Sequence, residues 1–491
     1  MKVNYSLLLL ITLLCSCETS TQKSNGIDAI KEADLKKDLY AMADDHFRGR
    51  ESGTLDELKI SVWLAEQARL AGLEPAGDDS TYFQFFNIQR TRLSEKSSIT
   101  IGNRSYALYS DALVMQPIEA SVSAPTVYLP DFNAISNADL KNKVAIVSIS
   151  SEGINQNISI PGRRYYRFIY QKYAPPIIAK GAAAVIFIAD EVADTNWKAI
   201  VPYLQRGDYQ VDVPYAKKGS APASISTIWL HASEHDYVRS PKSNANIQLH
   251  LETFEYPSVN IVGKVTGTDS KLKKEYVLFS AHQDHDGVRT SLSSDSIFNG
   301  ADDNASGSVA LLAIIRAFKK EPAKRSGLFV WHGAEERSML GSRWFANYPT
   351  VPKEDILAVL NADMIGQNNV DSMALLGSQS PHKNSSDLVA IALEANAAGP
   401  KFKLDTAWDK VDHPEGFYFR SDHMPYARVG IPAIFYTSWL HPDYHTPRDE
   451  PKTIKYEKLL KVAQWMYLTG WTVANKPERP KVDEGFQLER P

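Results

Sequence analysis

The apolar and polar residues follow four successive patterns along the chain of 491 residues. From Ile27 to about Ala76, apolar residues recur at three- and four-residue spacing, which predicts helices. Residues 82–113 predict strands, with a hairpin around Gly102 and Asn103. Short β-rich runs then continue to about Leu251, with many Pro, Tyr and Arg residues in their loops. We therefore predict an N-terminal part of the main domain (27–117) and a smaller β-rich inserted domain (118–251).

The fourth pattern, from 252 to 475, is a regular alternation of strand-like and helical segments. Its main apolar runs lie at 276–282, 327–336, 356–366 and 431–438. This order predicts an α/β fold with a mostly parallel central sheet and helices on both faces. Ligands of such sheets bind at the carboxyl ends of the strands. Residues 476–491, rich in Pro, Lys and Glu, are predicted to form an exposed tail.

The N-terminus has the pattern of an export signal. Lys2 precedes the short apolar run 6–14, which small residues follow, and the run is too short for a comfortable membrane span. The order Leu14, Cys15, Ser16, Cys17 resembles a bacterial lipobox, so we expect a lipoprotein-type signal (1–17), acylation of Cys17 and a flexible tether (18–26). The alternative is an ordinary cleaved signal in which Cys17 is incidental. We expect a lipid-anchored protein of a bacterial envelope, or otherwise a secreted one.

Composition limits the kinds of metal ligand and of binding partner that this chain can have. Both cysteines lie in the predicted signal, so the rest of the chain contains no disulfide and no cysteine metal ligand. The formal net charge of −4 gives no basic excess for nucleic acid. The segment 162–173 interleaves positive charges with aromatic residues, but one such patch on a near-neutral protein more often covers a helix face or contacts substrate. We expect a membrane contact only through the lipid anchor.

A residue able to bind metal follows each strand-like run of the α/β segment. His282 and Asp284 are two residues apart, so on an extended segment the carboxylate can hold the imidazole. Glu335 and Glu336 are adjacent and point in different directions, so one can bind metal while the other handles protons. The other candidates are Asp363, His441, Tyr444 and His445.

Asp302 and Asp303 precede the apolar helical run 309–318. Either they cap this helix together with Asn304, or they join the other candidates. With Asp303 included, and with Asp284, one of the two glutamates and one of His441 and His445 left for other roles, two imidazoles and three carboxylates remain as ligands. They suit two borderline divalent ions, zinc first and Co²⁺ or Mn²⁺ as substitutes. Three carboxylates and one hydroxide would balance the charge of two such ions.

In this order, the motifs SAHQDH, NGADDNASG, HGAEE, NADMIG, RSDHMPYARVGIP and YHTPRD resemble the co-catalytic di-zinc exopeptidases, which include secreted aminopeptidases and the glutamate carboxypeptidase type. The resemblance covers roughly residues 27–474. The runs DLKNKVAIVSIS and AKGAAAVIFIAD resemble the protease-associated domain, which implies that the insert is a lid or contacts substrate. No predicted ligand position departs from the family pattern, which argues against its catalytically silent receptor relatives.

The resemblance implies a role for each candidate. His282 and Asp363 would hold one zinc ion, Glu336 and His445 the other, and Asp303 would bridge them. Asp284 would orient His282, Glu335 would be the general base, and the Tyr444 hydroxyl would steady the oxyanion. Arg420 and Asp422 match a loop beside the substrate. His441 is interpreted as a pocket residue, because Pro442 and Pro447 make its segment a loop. We interpret His285 and Asp286 as supporting or solvent-facing groups outside the ligand set.

These residues predict a metal-dependent exopeptidase that hydrolyses the N-terminal peptide bond through a hydroxide held by two zinc ions. The alternatives are a hydrolase of the glutamate carboxypeptidase type, another two-metal hydrolase such as an amidase or cyclase-like enzyme, and a non-catalytic surface binding protein. A carboxypeptidase needs clustered arginines for the terminal carboxylate, whereas an aminopeptidase needs a carboxylate for the substrate ammonium group. Glu335 and the acidic stretch 405–415 favour the aminopeptidase, and Arg163, Arg164 and Arg420 keep the carboxypeptidase open.

Overall fold

The computed structural model of the chain describes residues 26–154, 161–214, 225–240, 244–289 and 295–489. The predicted signal, Cys17 and nearly all of the tether lie outside these ranges. Within the described residues, no helix has both the length and the apolar character needed to span a membrane.

The helices are α1 (Glu32–Met42), α2 (Leu55–Leu70), α3 (Pro161–Ala179), α4 (Glu191–Arg206), α5 (His235–Val238), α6 (Gly307–Lys320), α7 (Leu340–Asn347), α8 (Ser386–Ala398), α9 (His423–Arg428) and α10 (Tyr456–Asn475). The strands are β1 (Glu74–Pro75), β2 (Phe83–Leu93), β3 (Ser98–Ile101), β4 (Arg104–Tyr106), β5 (Ala112–Val114), β6 (Ala120–Ala124), β7 (Thr126–Leu129), β8 (Val144–Ser148), β9 (Ala184–Ile188), β10 (Asp208–Gln210), β11 (Ser226–Leu230), β12 (Ala245–Leu249), β13 (Leu251–Val265), β14 (Tyr276–His282), β15 (Gly287–Val288), β16 (Ile297–Phe298), β17 (Ser326–His332), β18 (Ile356–Ala362), β19 (Ser372–Leu376), β20 (Lys403–Leu404) and β21 (Ala433–Thr437).

The main sheet has the strand order β10-β2-β13-β17-β14-β18-β21-β19-β20, with β1 also paired to β13. Its central strands β17, β14, β18 and β21 are parallel neighbours. The predicted α/β class is confirmed, but the sheet is more mixed in direction than predicted. The chain leaves the main unit along β2 and returns along β13, so these two long strands lie side by side and antiparallel.

Helices cover both faces of this sheet, as predicted. Apolar residues of α1, α2, α6, α8 and α10 pack with the sheet in one buried cluster. Residues of α7 and α9 pack against the opposite face in another. The central strands are apolar on both sides because both sides are covered; Leu278 and Phe279, adjacent on β14, are both fully buried.

Residues 98–249, here called the smaller unit, form two further sheets. Their strand orders are β5-β11-β9-β8-β7 and β4-β3-β12-β6. The predicted start at 118 is too late, because β3 pairs with β12 and β5 with β11. The unit also contains α3 and α4, and its strand β10 pairs with β2 of the main sheet. Its resemblance to the protease-associated domain stays a prediction.

The C-terminal segment differs in part from the exposed tail that was predicted. The backbone amide of Asp483 donates to the Asn384 carbonyl, 2.8 Å away, and Glu489 Oε1 lies 2.7 Å from Nε2 of His382. Residues 476–489 carry no regular helix or strand, but these contacts fix them along the main unit.

Candidate metal centre

The predicted metal-binding side chains meet at the carboxyl edge of the four central strands. Strand β14 ends at His282, and Glu335 follows the end of β17 by three residues. Asp363 directly follows β18, and His445 lies in the loop after β21. Since these strands are parallel neighbours, their carboxyl ends lie at the same edge of the sheet.

Two groups of donor atoms share Asp303. In the first, His282 Nε2 lies 3.2 Å from Asp303 Oδ1 and 3.5 Å from Asp363 Oδ1. In the second, His445 Nε2 lies 3.1 Å from Asp303 Oδ2 and 3.2 Å from Glu336 Oε1. Each oxygen of Asp303 thus faces a different group, which is the arrangement of a bridging carboxylate.

His285 adds a donor to the second group that sequence reasoning left outside the ligand set. Its Nδ1 lies 2.9 Å from Glu336 Oε1 and 3.9 Å from Asp303 Oδ2, and the ring is fully buried. The structure therefore forms one group of three residues (His282, Asp303 and Asp363) and one of four (His285, Asp303, Glu336 and His445). The signal in the sequence is the spacing HQDH, which places a second histidine three residues after His282.

The buried donor atoms fit metal ions better than they fit one another. His282 Nε2, His285 Nδ1, Glu336 Oε1 and Asp363 Oδ1 are buried and make no hydrogen bond. Buried polar atoms without a partner are costly and rare. Imidazole and carboxylate donors are also the ligands that zinc takes when cysteine is absent.

In the turn 301–306, one residue contacts the start of helix α6 and another faces the donor groups. Asn304 Oδ1 accepts a hydrogen bond from the Gly307 amide, so Asn304 caps α6. The amides of Asp302 and Asp303 donate to the two carboxylate oxygens of Asp449, at 2.9 and 3.0 Å. Asp449 thereby holds the backbone at Asp303, and the Asp303 side chain is left to face the histidines.

Asp284 supports the glutamates more directly than it supports His282, contrary to the expectation. The strand ends at His282, so the extended alternation does not continue, and the Asp284 carboxylate stays 3.8 Å from His282 Nδ1. His282 Nδ1 instead lies 3.1 Å from the backbone carbonyl of Asp284. The carboxylate accepts hydrogen bonds from the Ser52 hydroxyl (2.6 Å) and from the amides of Glu335 (3.0 Å) and Glu336 (3.3 Å).

Asp286 supports the other side of the centre. Its Oδ2 lies 3.2 Å from Nδ1 of His445, and the residue is buried. A carboxylate this close to the outer nitrogen of an imidazole limits how the ring can turn, although neither of these two atoms makes a hydrogen bond. The expectation that Asp286 lies outside the ligand set fits this position, although it does not face solvent.

The two adjacent glutamates have opposite electrostatic environments. Burial, with the charges of Asp422 and Glu336, raises the pKa of Glu335 well above its ordinary value of 4.5, although His282 opposes this. Burial, the largest single influence, would also raise the pKa of Glu336, but His445 and His285 together outweigh it and the pKa falls to about 2. Glu335 therefore has the proton affinity of an acid–base group, and Glu336 has the stable negative charge of a ligand.

Tyr444 lies directly beside the centre, its ring 4.0 Å from that of His445 between centroids. Burial raises the pKa of Tyr444 to about 12, so the hydroxyl keeps its proton. Arg420 Nη2 donates to the Tyr444 oxygen at 2.8 Å. The hydroxyl oxygen is thus used as an acceptor, and its hydrogen is free to be donated to another group.

Two expected substrate contacts lie deeper than predicted. Asp422 is fully buried, so it offers no surface to a peptide, and burial raises its pKa to about 7. His441 is also buried, with Nε2 at 3.4 Å from Oδ2 of Asp302. Arg420 alone of the three remains partly exposed.

Comparison with known proteins shows what this chain is similar to. Residues 260–469 match the model of peptidase family M28. Leucine aminopeptidase 1 of Ajellomyces capsulatus is 26% identical over 257 residues, which are 49% of this chain and 62% of the relative, so the match spans less than two thirds of that protein. Aminopeptidase YwaD of Bacillus subtilis is 25% identical over 447 residues, 88% of this chain and 83% of the relative.

Solved structures share the fold. An aminopeptidase from Aneurinibacillus sp. strain AM-1 superposes with a TM-score of 0.58 at 18% identity, covering 93% of this chain and 97% of its own. A zinc aminopeptidase from Bacillus subtilis gives a TM-score of 0.56 at 18% identity, covering 93% and 99%.

Proposed function

Because residues 260–469 match the model of peptidase family M28, we propose that this chain is a zinc-dependent aminopeptidase that releases residues from the N-terminus of peptides. The observation that carries the proposal is the pair of donor groups sharing Asp303, with Glu335 and Tyr444 beside them. The relatives named as aminopeptidases support the direction of attack.

We propose two zinc ions, one held by His282, Asp303 and Asp363 and the other by His285, Asp303, Glu336 and His445. When bound, such a pair lowers the pKa of a shared water toward neutrality and polarises the scissile carbonyl group. Co²⁺ and Mn²⁺ are expected as substitutes, since they accept the same nitrogen and oxygen donors.

Glu335 supplies the proton transfers. Its Oε2 lies 3.9 Å from His282 Nε2, at the mouth of the centre, and its raised pKa lets it accept a proton from the attacking water and return it to the departing amine nitrogen. Asp284 holds the amide of Glu335 and so keeps the carboxylate in place. The Tyr444 hydroxyl donates its hydrogen to the oxyanion, because Arg420 already occupies its oxygen.

The arginine pairing supports an aminopeptidase over a carboxypeptidase. Arg164 and Arg420 both lie 2.7 Å from the same oxygen, Oε2 of Glu415. Their charges are therefore partly neutralised within the protein, which weakens them as a site for a terminal carboxylate. The side chain of Arg163 lies outside the described residues.

A substrate panel tests this function. Aminoacyl substrates with free and with N-acetylated termini are compared before and after chelation of zinc, and Glu335→Gln is measured beside the parent. We expect hydrolysis of free termini only, loss on chelation and recovery with zinc. Glu335→Gln should lower kcat by roughly a hundredfold to ten-thousandfold while zinc content stays the same. Equal cleavage of N-acetylated substrates would contradict the aminopeptidase assignment.

We also propose that the chain is exported and anchored through an acylated Cys17. The support is the sequence pattern of residues 1–17. Mass spectrometry of the N-terminal peptide would detect the acyl group, and Cys17→Ser should release the protein from the membrane fraction. Recovery of the parent protein entirely in the soluble fraction would contradict the anchor.

A further inference from the structure

Two arginines of the smaller unit reach the main unit beside the metal centre. Arg164 lies on α3 and Arg206 is the last residue of α4. Their side chains are only 19% and 14% exposed, so their ion pairs are shielded from much of the solvent. The inference drawn from them rests on the proposed function.

The first contact path runs from Arg164 to Tyr444. Arg164 Nη2 pairs with Glu415 Oε2 at 2.7 Å, and its Nη1 donates to the Pro414 carbonyl at 3.1 Å. The same oxygen of Glu415 accepts from Arg420 Nη1 at 2.7 Å. Arg420 then donates from Nη2 to the Tyr444 hydroxyl oxygen at 2.8 Å. Arg164 thus holds the carboxylate that orients the guanidinium of Arg420.

The second contact path runs from Arg206 to His445. Arg206 Nη1 donates to Asp286 Oδ1 at 3.0 Å, and its Nη2 donates to the Asp286 backbone carbonyl at 2.8 Å. The other carboxylate oxygen, Oδ2, lies 3.2 Å from His445 Nδ1. Arg206 therefore grips both the side chain and the backbone of the residue that orients His445. Arg289 and Arg337 also approach Asp286 Oδ1, at 2.7 and 3.6 Å, so Arg206 shares this role with cations of the main unit.

Both paths end on adjacent residues whose backbone needs external support. His445 has φ of +51°, in the left-handed region that a residue with a side chain occupies only at a cost. Such a conformation persists when surrounding contacts determine it. Tyr444 and His445 follow a loop with prolines and belong to no helix or strand. The Tyr444 amide donates to the His441 carbonyl at 3.1 Å, and the side-chain contacts of both residues add to this backbone support.

We propose that the smaller unit is a positioning part of the active site. Arg164 sets the Tyr444 hydroxyl for the oxyanion, and Arg206 sets the His445 imidazole for zinc. Neither arginine touches the reacting atoms. The two paths predict different defects, because one ends on a group that acts on substrate and the other on a group that binds metal.

Arg164→Gln tests the first path in the full-length, zinc-loaded protein. We expect kcat to fall about tenfold, a fraction of the hundred- to thousandfold that an oxyanion donor is worth, with KM and zinc content nearly unchanged. Arg167→Gln is the matched control, since it removes the same charge from an exposed position one turn along α3. In a Tyr444→Phe background, Arg164→Gln should cause no further loss, because its effect passes through the hydroxyl.

Arg206→Gln tests the second path. We expect the affinity for the zinc ion of the group that contains His445 to fall about tenfold, the low end of what partners of metal ligands contribute. Competition with a chromophoric chelator measures this affinity without any substrate. Lys198→Gln, an exposed cation on the same helix, is the matched control and should leave zinc affinity at the parent value.

The outcomes separate the inference from the proposed function. If the parent binds no zinc and hydrolyses nothing, the proposed function itself is wrong. If the parent is active and the two arginine variants behave as their controls do, the positioning role is wrong. A loss from Arg164→Gln that persists unchanged in the Tyr444→Phe background would also overturn it. Where a glutamine variant does not fold, Arg164→Lys and Arg206→Lys replace it. Each keeps the charge but cannot make both contacts of the guanidinium group, so a smaller kcat and a weaker zinc affinity than in the parent are expected, respectively. Values equal to the parent would contradict the role.

Discussion

Glu57 is a buried acid that supports the turn carrying Glu335 and Glu336. Its carboxylate accepts hydrogen bonds from the Ser258 hydroxyl and the Gly53 amide, both at 2.6 Å. A Cβ placed on Gly333 would lie 2.5 Å from Glu57 Oε1, so the turn packs directly on this carboxyl group. Glu57→Gln keeps the size of the side chain and removes only its ability to ionise.

The size of the effect follows from the pKa. Burial, and then the charge of Asp284, raises the pKa of Glu57 from 4.5 to about 8. An acid whose pKa is raised on folding stabilises the fold fully only below its unfolded pKa, and this stability is lost as the pH rises through the folded pKa. Between pH 6 and pH 8, Glu57 is ionised in the unfolded state but still largely protonated in the folded state. The free energy of unfolding therefore falls by about 2 kcal/mol over this pH range because of this one group.

Urea unfolding at pH 6, 7 and 8 with saturating zinc, followed by tryptophan fluorescence, measures the effect. The parent should lose about 2 kcal/mol more stability than Glu57→Gln between pH 6 and pH 8. Glu66→Gln on the same helix is the control, because Glu66 is exposed and should leave the pH dependence of the parent intact. Equal pH dependence in the parent and in Glu57→Gln would refute the reasoning.

Three further predictions concern the metal centre. In chelator competition, His285→Gln should weaken zinc binding at least about tenfold. His332→Gln is the control and should not weaken it, since His332 contacts Asn260 and Tyr426 instead of the donor groups. Equal zinc affinities of the two variants would exclude His285 as a ligand. Asp284→Ala should lower kcat/KM by about 10- to 100-fold while zinc content stays constant, and a loss of zinc instead would assign Asp284 to the ligands. Removal of zinc should lower the unfolding temperature. Zinc at a thousandfold excess over its Kd should then restore about 4 kcal/mol of unfolding free energy. An unfolding temperature that does not respond to zinc would contradict a metal site in the folded protein.

The sequence alone was sufficient to predict the central strands and the candidate residues that follow them. Buried parallel strands are apolar on both faces, so runs such as 276–282 and 356–362 are visible without any structure. Because the ends of such strands meet at one edge, His282 and Asp363 could be expected to converge although they lie far apart in the chain. Asp303, Glu336 and His445 were expected as ligands because the motifs around them resemble those of the di-zinc exopeptidases.

The sequence did not determine where the side chains point once a strand has ended. Asp284 was expected on His282 because two residues on an extended chain share a face, but the strand stops at His282 and the carboxylate turns to the amides of Glu335 and Glu336. The same turn brings His285 into the second donor group. Left-handed backbone at Ala334 and His445 redirects the chain in the same way.

Only the tertiary structure could decide the contacts between the smaller unit and the centre. Arg164 and Glu415 are 251 residues apart, and neither belongs to a pattern that names the other. Periodicity states which face of an element is buried, since burial is a property of that element. Which residue of another element a side chain contacts is determined by how the two units pack. That packing depends on residues from the whole chain.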